Sequence, residues 1–314
     1  MCHEHLPAHL LTEPSSCYSA ESLRPLLASS ACFAGANKKR NPLEQKPNPF
    51  STSEPWNLVA DGYAETTMQM LAQYAEEAVA ASRLKRGASV LDVACGPGTL
   101  ALMVAGTAKE VHGIDFSASM LAIFRKNIER AGHSNIIIRH GDAQALPYPD
   151  KMFDAAFSMF GLMFFPDRHK GFAEIHRTLK SGGTIAVTSW APIDQSPAMQ
   201  AMFGALRAIK PDLPEPQRAV ATLENPEVFK QEMLDAGFRR VEIRSVTKPF
   251  PVPSIPEFWE SMVKGSAPIQ MLKKSMGEPA WQEKESLALN YLAEKIPSTP
   301  ATLTSDAWLG LGIK

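Results

Sequence analysis

Residues 90–100 read VLDVACGPGTL: an apolar run, a bend holding Gly96 and Gly98, and then the opening of an amphipathic segment. A buried strand that stops at a glycine bend and turns at once into a helix leaves the first helical N–H groups unpaired. The positive end of the helix dipole then points back at the loop. Such a bend lets a polar ligand approach the main chain, and it belongs to parallel sheets, whose strands need helical crossovers. No other segment narrows the choice of fold as much.

The rest of the chain keeps the same alternation. Helical spacing over 66–84 precedes a strand at 89–94, and a helix over 99–105 leads to a strand ending at Asp115. Ser117 is placed to cap the next helix, whose Met120, Leu121, Phe124 and Ile128 share a face until Gly132 ends it. Strands are expected at 135–139, 153–158 and 184–189, with Asp167 capping the helix between the last two. Helices at 199–209 and 227–236 and a strand at 240–246 follow, and helical spacing resumes after PFPVPSIPEFW, residues 249–259. Residues 302–313 read as a final strand. No internal repeat interrupts the pattern. It predicts an α/β, Rossmann-like, doubly wound fold with a mostly parallel sheet. A helical cap at about 255–296 is inserted before the last strand.

Composition narrows the partners. The 314 residues carry 32 basic and 33 acidic side chains, a net charge of −1, which leaves no surplus to neutralise a phosphate backbone. Nucleic acid is therefore not an expected partner. No apolar run reaches the ~18 residues of a membrane span. LLASSACFAGA, residues 26–36, lacks the basic flank of a secretory signal. Residues 1–50 are expected to form a disordered tail and 51–314 a folded, cytoplasmic domain, with an organelle address in the tail left open. Lys38-Lys39-Arg40 reads as a solvated part of that tail, and Met1-Cys2-His3-Glu4-His5 as a terminus with incidental ligands. Cys2, Cys17 and Cys32 lie in the tail and Cys95 in the bend. Without a C-x-x-C pair, neither a disulfide frame nor a metal site is expected.

Gly96-x-Gly98-x-x-Ala101 also satisfies the dinucleotide fingerprint, and Asp115 lies near the distance at which an acidic residue holds ribose hydroxyls. A nicotinamide-dependent oxidoreductase is thus one reading. Asp92, four residues before Gly96, argues for another. A carboxylate at that strand position repels a pyrophosphate and suits a cationic ammonium, directly or through water.

Residues 90–100 resemble motif I of the class I S-adenosylmethionine-dependent methyltransferases. The similarity continues through VHGIDFSASML, HGDAQALPYPDKMFD and EIHRTLKSGG at the spacing those enzymes use, covering 56–190 well and the C-terminal third loosely. The nearest resemblance is to the broad type 11 group that includes the ubiquinone and menaquinone C-methyltransferases. It implies a sheet of seven strands with the last one antiparallel, a methyltransferase domain over 51–314 and S-adenosyl-L-methionine as cofactor. The methionine part of the cofactor would lie against Asp92, Ala94, Gly96 and Gly98, and Asp115 would hold the ribose hydroxyls. Phe116 and Met120 would flank the adenine, Asp142 and the Ala143 backbone would read its edge, and Ser158 and Met159 would end the fourth strand beneath the cofactor. Tyr63 matches an aromatic that closes over the sulfonium. Each position also has a structural reading: Asp115 as a helix N-terminal charge, Met120 as core, Asp142 as a turn cap.

The implied acceptor is a small molecule, apolar in character, with an O, N, S or C nucleophile. WNLVADGYAETTMQM, residues 56–70, stands where the quinone enzymes carry a Y-D-x-M-N signature, and Ser181 replaces their usual Pro. Tyr63, Arg168, His169 and Trp190 surround the expected mouth, but none is assigned as a catalytic base. That leaves open a catalytically silent, cofactor-binding partner protein. Residues 160–165 (FGLMFF), with Phe250, Phe258 and Trp259, read either as an apolar pocket or as packing between cap and sheet. No oligomeric state follows from the sequence.

Overall fold

The computed structural model describes residues 48–213 and 222–314. Two helices open it, α1 (Glu54–Gly62) and α2 (Met68–Ser82), and then β1 (Ser89–Val93), α3 (Thr99–Ala105), β2 (Glu110–Asp115), α4 (Ala118–Ala131), β3 (Ile136–His140) and β4 (Phe153–Met159) alternate. They are followed by α5 (Arg168–Thr178), β5 (Leu179–Trp190), α6 (Pro197–Ile209), α7 (Pro226–Asp235) and β6 (Arg239–Val252). Three helices, α8 (Ile255–Gly265), α9 (Ala267–Met276) and α10 (Glu278–Lys295), precede β7 (Ala301–Ile313). The seven strands form one sheet in the order β3-β2-β1-β4-β5-β7-β6, with β7 antiparallel to both neighbours. Order and direction agree with the predicted doubly wound sheet and its inserted cap.

Local chemistry sets the boundaries. The Ser117 hydroxyl accepts from the Met120 N–H at 3.2 Å, and Gly132, with φ 69°, ends α4 in the left-handed conformation. The Asp167 carboxylate accepts from the Lys170 N–H at 3.1 Å and opens α5.

Three boundaries depart from the sequence reading. The helical pattern expected to begin at residue 66 starts at Glu54, because α1 runs into α2 through a π-helical turn, Tyr63–Thr67. The strand expected at 240–246 continues to Val252 through Pro249 and Pro251. Proline is admitted there because β6 lies at the sheet edge, where a missing N–H costs no ladder bond. The strand expected from 184 begins at Leu179, its pairing with β4 passing an irregularity between Phe153 and Ala155.

Strand alternation divides the core. Leu91 and Val93 pack with Phe172 and Ile175 of α5 and with Phe229 and Met233 of α7. Val90 faces the other way, onto Ala78 of α2, Leu100 and Val104 of α3, and Phe124 of α4. The cap has a core of its own, in which Phe258, Trp259 and Trp281 pack with Leu206 and Ile209 of α6. Among the described residues no helix is long and apolar enough to cross a membrane.

Candidate active site

The parallel strands deliver their C-terminal ends to one edge, and there the bend after β1 meets the end of β2. Ala94 holds φ 56°, a left-handed backbone that a side chain disfavours, and Gly96 follows with φ 53°. Nothing lies within 4 Å of where a Gly96 Cβ would stand, so its main chain faces open space. Asp115 organises the bend: one carboxylate oxygen accepts from the Gly96 N–H at 2.8 Å and the other from the Ser117 N–H at 2.8 Å. Burial pushes the Asp115 carboxyl above the usual range, and these N–H donors oppose the shift.

Asp92 is 1% exposed and accepts from the Ala101 N–H at 3.2 Å. Burial raises its pKa to about 8, the Ala101 N–H works against that, and the nearby Asp115 charge adds to it.

A cleft of about 260 Å³ opens over this bend. Of the residues singled out in the sequence, Tyr63, Ala94, Gly96, Asp115, Phe116, Met120, Asp142, Ala143 and Met159 line it. Asp92, Gly98 and Ser158 do not. Asp92 sits behind the bend at the start of α3. A Cβ on Gly98 would lie 2.1 Å from the Phe124 ring, so its glycine is required for packing α4 close to the bend. The Ser158 hydroxyl accepts from the Leu162 N–H at 3.2 Å and fixes the turn after β4. Asp142 holds its own turn, accepting from the Gln144 N–H at 2.9 Å.

Trp56, Phe160 and Phe164 also line the cleft. The aromatic run had marked the two phenylalanines only as pocket or packing residues, and nothing had marked Trp56. Its position follows from α1: the Asn57 side-chain amide oxygen accepts from the Ser117 hydroxyl at 2.7 Å, tying α1 across the start of α4. The Trp56 ring lies 5.0 Å from Phe164, and its indole N–H donates to the Phe50 carbonyl at 2.9 Å. Most of the expected tail, with its cysteines and its basic run, lies outside the described residues. Asn48–Phe50 lies within them, and the Phe50 ring packs 5.8 Å from that of Phe164.

Beneath the cap lies a second, larger cavity of about 680 Å³, lined among others by Met70, Trp190, Met199, Met202, Phe250 and Phe258. Trp56, Tyr63, Phe160 and Phe164 border both spaces. Tyr63 stands in the π-helical turn, and burial together with the Asp115 charge raises its phenol further, so it is held neutral. Phe160, at φ 57°, stacks 4.1 Å from Trp190, and Tyr74 packs edge-on to both. Of the expected pocket aromatics, Trp259 belongs elsewhere: it stacks on Trp281 inside the cap. Among the mouth candidates, Arg168 pairs with Glu232 at 2.9 Å and His169 is exposed. Among the described residues no Lys, Arg or His lines either space.

A glycine bend after the first strand, an acidic end on the second and a doubly wound sheet define a Rossmann-like nucleoside-binding protein. Residues 90–183 match a family described as a methyltransferase domain. The chain is 35% identical over 178 residues to a Staphylococcus aureus demethylmenaquinone methyltransferase, covering 52% of this chain and 73% of that protein. A Listeria welshimeri demethylmenaquinone methyltransferase is 37% identical over 117 residues, 36% of this chain and 50% of that protein. The chain thus spans about half the length of the first of the curated relatives it matches. The solved structure of the Bacillus subtilis YcgJ protein shares the fold, with a TM-score of 0.54 at 18% identity over 77% of this chain and 98% of that one. The chain belongs to the class I S-adenosylmethionine-dependent methyltransferase family.

Proposed function

We propose that the protein transfers a methyl group from S-adenosylmethionine, held in the smaller cleft, to a small apolar acceptor held in the larger cavity. The observation that carries this reading is the wall of Trp56, Tyr63, Phe160 and Phe164 common to both spaces. A displacement at carbon needs donor and acceptor in contact and water kept out, and two spaces that share these aromatic lining residues lie side by side as that requires.

The cleft fits the cofactor. The open main chain at Gly96 leaves room for the methionine part, and Asp115 keeps further lone pairs for the ribose hydroxyls. Phe116 and Met120 would flank the adenine, and Asp142 and the Ala143 backbone would meet its edge. Asp92 would act on the ammonium from behind the bend, and Ser158 through the turn it fixes. The sulfonium supplies an electrophilic methyl carbon; Tyr63 and its neighbours exclude water and orient the acceptor. Two carboxylates and no lining cation also disfavour a dinucleotide pyrophosphate.

A narrower reading, a quinone-like acceptor, is favoured by the names of the relatives and by the apolar lining of the larger cavity. Calorimetry with S-adenosylhomocysteine and with NADH tests the cofactor. Binding of the former alone is expected, and binding of NADH alone would refute the assignment. Turnover with a labelled methyl donor and a panel of apolar phenols, amines and quinols tests the transfer. Cofactor binding with no labelled product from any extract would favour a silent partner protein.

A further inference from the structure

The larger cavity is mostly apolar, with Gln69, Gln73, Ser261 and Ser266 among its polar lining, and Glu224 is the one half-buried carboxylate among the described lining residues. Glu224 lines it between fixed neighbours. Leu223 is fully buried, the Asn225 side chain caps α7 by accepting from the Glu227 N–H at 3.0 Å, and the Glu224 carbonyl accepts from the Trp308 indole at 2.8 Å. Trp308 pairs in register with Ser189 and is next to Ala307, the partner of Trp190. Glu224 is therefore held at the same end of the sheet as the aromatic partition.

Burial alone raises its carboxyl, with no charged or hydrogen-bonding side chain acting on it among the described residues. Among the described residues the other ionisable groups facing the cavity are the Tyr63 phenol, held neutral, and Glu257, which is exposed at the start of α8. The Thr66 hydroxyl donates to the Gly62 carbonyl at 2.8 Å and the Thr67 hydroxyl to the Gly265 carbonyl at 3.3 Å. Among the described residues no side chain partners this half-buried carboxylate, and a ligand in the cavity can.

We propose that Glu224 selects the acceptor: the cavity takes an apolar molecule carrying a hydroxyl or amine donor, hydrogen-bonded to this carboxylate, and rejects acids built on the same frame. The inference rests on the larger cavity being the acceptor chamber. Aromatic faces favour an amine that arrives protonated, while a neutral hydroxyl needs only the acceptor oxygen. An anion in the cavity would meet Glu224 and Glu257 with no cation in the lining, among the described residues, to offset them.

The test measures binding of four probes of one shape, 2-naphthylmethanol, 2-naphthylmethylamine, 2-methylnaphthalene and 2-naphthoic acid, with S-adenosylhomocysteine affinity measured separately. Wild type is expected to bind the alcohol and the amine about tenfold tighter than the hydrocarbon, and the acid weakest. Glu224→Ala should bring alcohol, amine and hydrocarbon within about threefold of one another. Glu224→Gln should keep the alcohol preference and lose that for the amine. Retained preferences in Glu224→Ala, an acid bound as tightly as the alcohol, or no binding by any probe would overturn the proposal. If Glu224→Ala does not fold, the charge arm of Glu224→Gln decides. Failure of the probe pattern with intact S-adenosylhomocysteine binding removes this inference alone. Loss of S-adenosylhomocysteine binding removes the methyltransferase reading instead.

Discussion

The cleft and the chamber beside it are built on opposite plans. The cleft is built on the turns that follow β1, β2, β3 and β4, four short segments of sequence around the open main chain at Gly96, with Trp56 and Tyr63 reaching in from α1 and the turn after it. The chamber is side chains from α1, α2, α6, β6 and α8, which reach it from distant parts of the chain. Backbone sites are fixed by strand pairing and glycine conformation, and they tolerate little change. Side-chain chambers are fixed by packing and can be reshaped residue by residue, which suits the proposed division of the acceptor to the chamber and the cofactor to the cleft.

Breaking the chamber alone should have the largest effect. Trp281 is buried and stacked 5.9 Å from Trp259 in the cap core, and Trp281→Ala is expected to cost about 3–5 kcal/mol of stability. Urea unfolding measures the loss. Binding of the naphthyl probes should vanish while S-adenosylhomocysteine affinity stays within about threefold. Equal loss of both would show that the two spaces are one.

The reciprocal change is Asp115→Ala, which removes the acceptor of the Gly96 and Ser117 N–H groups and, on the proposed reading, of the ribose hydroxyls. S-adenosylhomocysteine should bind about 1–3 kcal/mol more weakly by calorimetry, with probe affinity unchanged. Unchanged cofactor affinity would dismiss the ribose assignment.

A smaller effect separates Asp92 from Asp115. With its pKa raised to about 8, Asp92 keeps in the folded state a proton that the unfolded chain releases near 4. Its stabilising effect is complete below pH about 4 and is lost as pH climbs to about 8, so the ligand-free protein should weaken over that window. Asp92→Asn keeps an oxygen for the Ala101 N–H and removes the titration. Its melting temperature should exceed that of wild type by about 5 °C at pH 8, the gap closing toward pH 4. A gap independent of pH would mean that Asp92 is ionised throughout.

The same division explains what could be read from sequence. Gly96, Asp115, Asp142 and Ala143 reach the cleft because each follows a strand whose end is marked by an apolar run and a turn residue, a local signal. Gly98 was marked by the same motif but answers to Phe124, because one spacing serves both a ligand and a helix contact. Trp56 and the π-helical turn at Tyr63 left no trace, since α1 is held by Ser117 and Phe164, contacts that no periodicity reports. The extension of β6 through two prolines depends on its edge position, which only the completed sheet reveals. Glu224 has no motif around it at all.

The most direct test of the two-chamber account is a crystal structure with S-adenosylhomocysteine bound. The account expects the adenosine between the Asp115 and Asp142 carboxylates, with the thioether sulfur turned toward Tyr63 and the larger cavity still free. Density for the nucleoside in the larger cavity, or a cleft closed by the protein's own side chains while the ligand binds elsewhere, would contradict it.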